Sequence, residues 1–198
     1  NGVINYAQIL LNRNPESESE RKILNNIMKE GNRVATIVSN LLKFAHKDRD
    51  AMGLTDLREV MTESLELLGQ QLAKDHIFVD VECSSCLPPV HGNAQKLEQV
   101  IMNLVGNARH ALNEKFPGSS PDKILRISAE NITNNGQQKV RLIVWDQGSG
   151  ISKLNQGRIF NRFFTTKPAG VGTGLGLSIV HDILTEHDAQ IFVDSDEG

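Results

Sequence analysis

Apolar residues recur at three- and four-residue steps along residues 17–47. Ile23, Ile27, Val34, Ile37, Leu41 and Phe44 make one stripe, while Lys22, Lys29, Arg33 and Lys43 fill the other faces. That period predicts one long helix, with Glu30 as the polar interruption of its stripe. Val3, Ala7 and Leu10 keep the same spacing ahead of it, and Asn12 to Pro15 supplies turn chemistry between the two segments. Together they predict a helical hairpin over residues 1–50. Two helices with wide apolar stripes cannot bury those stripes on each other alone, so the pattern predicts a homodimer that completes a four-helix bundle. Packing of the hairpin on its own domain is the plainer alternative.

From Leu54 the rhythm changes. A helix over 56–74 carries Leu57, Val60, Met61, Leu65, Leu68 and Leu72, after which Ile77, Val79 and Val81 alternate as a strand. Beyond Pro88-Pro89 a second helix spans 93–113. Strands over 124–132 and 139–146 follow, joined by Asn134-Asn135-Gly136, residues that tolerate positive φ and signal a hairpin. A loop leads to a helix over 174–187 and then to a strand over 190–193. Helices mixed with antiparallel strands predict a two-layer α/β sandwich over 54–198.

Composition narrows the function. The chain has 198 residues with 21 Lys+Arg against 24 Asp+Glu, a net charge of -3. No surplus of positive charge is present to neutralise phosphates, which argues against a nucleic-acid partner. The longest apolar stretch, 34–45, is broken by Thr36, Ser39, Asn40 and Lys43, far short of the roughly 20 residues of a membrane span, so no direct membrane contact is expected. The chain opens on Asn1 and stops at Gly198 in mid-pattern, as a piece of a longer protein would. Cys83 and Cys86 lack a second ligand pair for zinc, and reduced cysteines of a cytoplasmic protein are the simpler reading.

Three stretches carry candidate chemistry. On the helix over 93–113, Leu97, Val100, Ile101, Leu104, Ala108 and Leu112 form a buried stripe, and Asn103, Asn107 and His110 stack at i, i+4 and i+7 on the other side. Asparagines are poor helix formers, and a carboxamide oxygen is a hard neutral ligand that Mg²⁺ accepts beside phosphate oxygens; a merely polar face is the alternative. Asp146 ends a core strand and runs into Gln147-Gly148-Ser149-Gly150-Ile151, either a pocket for a flat base with an amine or an ordinary Asp turn. Gly170 to Ser178 is glycine-rich and opens a helix, so backbone N–H groups and the helix N-terminus make a phosphate cradle. Just before it, 158–167 holds Phe160, Phe163 and Phe164 among Arg158, Arg162 and Lys167, a candidate lid.

Those stretches, in that order, resemble the histidine protein kinases of two-component signalling, within the gyrase-like ATPases. Glu98 to Leu112 looks like their N box, Asp146 to Ile151 and Gly170 to Ser178 like their two glycine boxes, and Phe160 to Lys167 like their F box. The resemblance implies a Bergerat-type α+β two-layer sandwich that binds ATP and Mg²⁺, preceded by part of a dimerising, histidine-phosphotransfer hairpin. It implies that Asn107 coordinates Mg²⁺ with Asn103 in support and His110 or Arg109 near the phosphates. It further implies that Asp146 binds the adenine amine, that Gly148, Gly150 and Ile151 shape the base pocket, and that Phe160 and Thr166 belong to the lid. The resemblance also implies that Gly172, Thr173, Gly174 and Gly176 hold the phosphates and that Leu175 and Leu177 belong to the same nucleotide site, while Lys167 is either a phosphate contact or a solvated loop cation.

Gyrase-like hydrolases carry a glutamate one turn before the metal-binding asparagine, where this chain has Asn103. An amide cannot act as a general base, so the resemblance implies transfer of the ATP γ-phosphate to a histidine and then to an aspartate of a response-regulator receiver domain. A degenerate, nucleotide-gated binding module and a gyrase-like ATPase are the competing readings. In the family the phosphoacceptor histidine lies upstream of the segment that Asn1 to Ile4 resembles, so it is expected outside this chain, and the last strand is expected beyond Gly198. Asn161-Arg162 and Asp188-Ala189 depart from the family's frequent Glu-Pro and Gly-Gly. Tyr6 and Trp145 read as core or interface residues.

Overall fold

The computed structural model describes residues 2–12, 17–28, 31, 51–84, 86–134, 136–168 and 172–197. The chain divides into two compact units, Asn1–Asp50 with Phe163–Gly174, and Ala51–Arg162 with Leu175–Gly198.

In the first unit α1 spans Gly2–Asn12 and a second helical run, α2, covers 18–28. Ser17 starts α2 by accepting the Glu20 N–H on its hydroxyl at 3.1 Å, a side-chain cap for a donor that the first turn leaves unpaired. The rest of the helix expected over 17–47, with Val34, Ile37, Leu41 and Phe44, lies outside the described residues apart from residue 31. Ala7 and Leu24 are buried, whereas Ile9, Leu10, Ile23 and Ile27 are exposed. Tyr6, expected in a core or an interface, is 71% exposed.

The second unit is the sandwich. Its order is β1 (Gly53–Thr55), α3 (Leu57–Lys74), β2 (Phe78–Cys83), β3 (Val90–Gly92), α4 (Ala94–Lys115), β4 (Ile124–Asn134), β5 (Gln137–Asp146), α5 (Lys153–Gln156) and α6 (Gly176–Glu186). β1 and β3 pair antiparallel, and a three-stranded sheet runs β2-β4-β5 with β2 parallel and β5 antiparallel to β4. The tight β4–β5 hairpin pairs Asn134 with Gln137, as the asparagine-glycine run predicted. Leu125, Ile127 and Ala129 on one face of β4 meet Leu57, Met61, Leu68 and Leu72 of α3 and Ile101, Val105, Ala108 and Leu112 of α4 in the main core. Burial of such side chains, about 1.5–3 kcal/mol each, is what holds the helical layer on the sheet.

Both long helices start on a side-chain cap: Asp56 accepts the Arg58 N–H at 2.8 Å and Asn93 accepts the Lys96 N–H at 2.9 Å. α6 docks on α4 through Val100, Ile179, Val180 and Ile183. The far end of that contact is tied by His187, whose Nε2 accepts the Asn93 N–H at 3.0 Å, and by a 2.8 Å Lys96–Glu186 ion pair.

Val79 and Val81 alternate on β2 as predicted, and because β2 is a sheet edge both stay exposed. Two expectations need correction. Trp145 lies on the outer face of β5, 42% exposed, with the Arg126 guanidinium 5.5 Å from its ring. Residues 190–193 join no ladder; Gln156 holds the next stretch instead, its amide donating to Ser195 O at 2.7 Å.

Candidate nucleotide site

α4 supplies the base of the site. Its buried stripe is Val100, Ile101, Val105, Ala108 and Leu112; Val105, fully buried, was absent from the predicted stripe, and Leu97 and Leu104 are only half-buried. Asn103, Asn107 and His110 share the side of α4 away from that stripe and are half-buried. Asn103 reaches the start of α6: a Cβ on Gly176 would stand 3.4 Å from its Oδ1. Its Nδ2 is buried without a hydrogen-bond partner. A buried donor left this way costs about 1–3 kcal/mol, which an incoming anionic oxygen relieves.

Arg109 is a correction. It projects to another side of α4, where Nε donates to Asp75 Oδ2 at 2.6 Å and Nη1 donates to Gln71 Oε1 at 3.3 Å. Asn113 Nδ2 donates to the same carboxylate oxygen at 2.5 Å. Burial pushes the Asp75 carboxyl up, but these hydrogen bonds and the Arg109 charge hold it below its ordinary value. Arg109 therefore locks α4 to the end of α3 and is committed to a carboxylate there.

Asp146, at the end of β5, turns the chain by accepting the Gly148 N–H on Oδ1 at 2.8 Å. The Asp turn is therefore present. Burial holds the carboxyl above its ordinary value, with the Gly148 N–H and the Lys115 charge pulling it down. Gly148 has to be glycine because a Cβ there would stand 2.5 Å from Ala111 Cβ and 2.6 Å from Asp146 Oδ1. The turn is fastened to the last turn of α4. Ser149 N–H donates to Ala111 O at 3.3 Å, Ser149 Oγ donates to Glu114 Oε2 at 2.8 Å, and Lys115 Nζ donates to Gly148 O at 3.2 Å. Gly150 lies against the Asp196 carbonyl, and the Ile151 N–H donates to Ser195 Oγ at 2.9 Å.

The expected lid divides between the two units. Phe160 belongs to the sandwich, half-buried, with its ring 5.8 Å from that of His181 on α6. Phe163 and Phe164 belong to the other unit, as do Thr166, Lys167, Gly172, Thr173 and Gly174. There Phe163 is exposed at φ +65°, Thr165 Oγ1 accepts the Lys167 N–H at 3.1 Å, and Gly174 takes φ +67° against the Phe163 backbone. Gly170 lies outside the described residues. The helix opens at Gly176 and Leu177, and its N-cap residue, Leu175, makes no side-chain cap hydrogen bond. The structure thus brings Asn103 to Gly176, and Asp146, Gly148 and Gly150 to the sandwich that carries Asn107 and His110. Ser149, Glu114, Lys115, Gln156 and Ser195 were missed, because nothing local in the sequence marks contacts made across the fold.

Residues 92–198, more than half of the chain, match the family described as histidine kinase-, DNA gyrase B-, and HSP90-like ATPase. The chain belongs to that family. The expected ATP-binding α+β sandwich is therefore borne out for this ATPase domain. Among relatives, the chain is 29% identical to the sensor histidine kinase ZraS of Escherichia coli over 97% of its own length and 38% of that protein's. To the sensor kinase CckA of Brucella abortus it is 32% identical over 99% of its length and 21% of that protein's. It spans well under half the length of these relatives. Among solved structures, the nucleotide-free catalytic domain of histidine kinase ThkA is 30% identical, with a TM-score of 0.57 over 69% of this chain and 82% of that one. ThkA in complex with response regulator protein TrrA gives a TM-score of 0.65 at 25% identity over 94% of this chain and 50% of that one. Among the described residues no helix of this chain is long and apolar enough to cross a membrane.

Proposed function

We propose that the chain is the ATP-binding catalytic part, 54–198, of a two-component histidine kinase, joined to a dimerising hairpin over 1–50. The observation that carries this reading is Asn103, a residue of α4 whose Oδ1 lies beside the first residue of α6 and whose Nδ2 is buried without a hydrogen-bond partner. That donor set fits an anionic phosphate oxygen, because N–H groups of a helix N-terminus and an orphaned amide both favour negative charge.

In this reading Gly172, Thr173, Gly174, Leu175, Gly176 and Leu177 hold the phosphates, with Lys167 and Thr166 at the lid edge. Asp146 accepts a hydrogen bond from the base amine, and Gly148, Gly150 and Ile151 shape the surface on which the base lies. Among the described residues no cluster of three or more His, Cys, Asp or Glu stands ready for a metal. Asn107 would hold Mg²⁺ through its carboxamide oxygen, a hard neutral donor of the kind this ion accepts beside phosphate and water oxygens, and the ion would supply charge neutralisation for the phosphates. His110 adds to that end of the site.

Phosphoryl transfer asks the protein mainly to position the groups and to stabilise charge. An amide at Asn103 offers no base to activate water, which favours transfer to a histidine nitrogen, with ADP leaving, over hydrolysis. Onward transfer to a receiver aspartate is supported by analogy with the kinase solved with a response regulator. The exposed Ile9, Leu10, Ile23 and Ile27 support a second copy of the hairpin as their cover. The test is incubation of a form of the protein that carries the expected phosphoacceptor helix with γ-labelled ATP and Mg²⁺. Acid-labile, base-stable label on a histidine supports the kinase, and bound ATP with no label on either protomer of a mixed pair sinks it.

A further inference from the structure

We infer that Lys115, the last residue of α4, is a positioning residue for the nucleotide base, fixing the Asp146–Gly150 turn so that the site selects a purine with an amino group at the position where guanine carries its oxo group. This rests on the reading of the sandwich as an ATP site.

The turn has no regular structure of its own, and its shape depends on what it is fastened to. Lys115 Nζ donates to Gly148 O at 3.2 Å, and the same ammonium lies 5.8 Å from the Phe116 ring centroid, which limits where it swings. Gly148 meanwhile lies against Ala111, and Ser149 is held by Ala111 O and Glu114. The last turn of α4 therefore sets where the base surface stands. The same rigid helix carries Asn107 about 12 Å away along its axis, so the base end and the metal end are spaced by one element.

Lys115 also acts on Asp146 chemically. An amino group on the base is a donor and needs an ionised acceptor, whereas an oxo group at that position is an acceptor and meets a carboxylate as a repulsive partner. Ionised Asp146 thus favours adenine over guanine, and a protonated carboxyl blurs the choice. Burial works against ionisation, and the Lys115 charge opposes that push. The other charged groups around the turn are Glu114, bound to Ser149, and Asp196, whose backbone packs on Gly150. Lys115 is the cation facing the turn from α4.

The experiment measures ATP and GTP binding to the 198-residue chain across pH 5–9 for wild type, Lys115→Met and Lys115→Arg, with a thermal melt of each. Lys115→Met should bind ATP about three- to tenfold more weakly at neutral pH, the worth of one hydrogen bond. Its preference for ATP over GTP should shrink, and its loss of ATP binding on acidification should begin at higher pH. Lys115→Arg should restore all of these, and the melting temperatures should agree, because Lys115 is exposed. Lys115→Met with wild-type affinity, base preference and pH profile overturns the inference while leaving the ATP site intact. A wild-type chain that binds no ATP at any pH overturns the site reading and the inference with it.

Discussion

Asn103 on α4 and Gly176 at the first position of α6 stand within contact range, so that a single methyl group on Gly176 would reach 3.4 Å from the Asn103 carboxamide oxygen. Two motifs 73 residues apart in the sequence meet at this point. Gly176→Ala should therefore separate stability from binding. Alanine at an unstrained helical glycine stabilises by about 0.4–1 kcal/mol, while its methyl narrows the space beside the helix N-terminus. Melting should rise slightly and ATP affinity should fall; equal affinity in a calorimetric titration would remove Gly176 from the phosphate site.

Asn103→Ala removes a buried donor that has no partner. Without nucleotide the variant should lie within about 1 kcal/mol of wild type, since no hydrogen bond is lost. ATP affinity should drop about tenfold or more, the usual worth of a hydrogen bond to a charged group. Urea unfolding and ATP titration of the same preparation decide it, and a large loss of stability with unchanged affinity would make Asn103 structural.

The Asp75 cluster should report on folding and not on nucleotide. Asp75→Ala removes an acceptor shared by Arg109 and Asn113 and should cost about 2 kcal/mol. Because the folded carboxyl titrates below its ordinary value, its contribution is present at neutral pH and fades as pH falls below about 4. Asp75→Asn should flatten that acid limb in urea titrations. Arg109→Ala should be destabilised while its folded fraction binds ATP normally; a specific loss of ATP binding would return Arg109 to the phosphates.

Much of this was legible from residues alone. The stripe and caps of α4, the Asn134-Gly136 hairpin and the order of the glycine-rich stretches each arise from local chemistry with a fixed period or spacing. Arg109 was misread because sequence places it between Asn107 and His110, while helix geometry turns it to α3, where Asp75 waits from a distant part of the chain. Val79 and Val81 show the same limit: alternation marks a strand, and only the sheet order says that it is an edge. Lys115 looked like an ordinary cation in a helix's last turn. Its partner, the Gly148 carbonyl, exists only once β5 has returned beside α4.

Asp146 gives a prediction with a definite sign. Burial raises its folded value, so the carboxylate costs stability at neutral pH, and the folded state gains relative stability as pH falls and the proton returns. Asp146→Asn keeps an oxygen for the Gly148 N–H and should remove that pH dependence while weakening ATP. Binding to wild type should weaken on acidification as the acceptor is lost, and an Asp146→Asn variant that binds ATP as tightly as wild type would exclude Asp146 as the base contact.

The most direct test of the site is a calorimetric titration of ATP into the wild-type chain and Asn107→Ala, each with and without Mg²⁺. Wild type should bind one ATP per chain, more tightly with Mg²⁺, and Asn107→Ala should lose that Mg²⁺-dependent gain while melting at nearly the same temperature. No ATP binding by the folded wild-type chain, or an unchanged Mg²⁺ effect in Asn107→Ala, would contradict a nucleotide–metal site built on the asparagine face of α4.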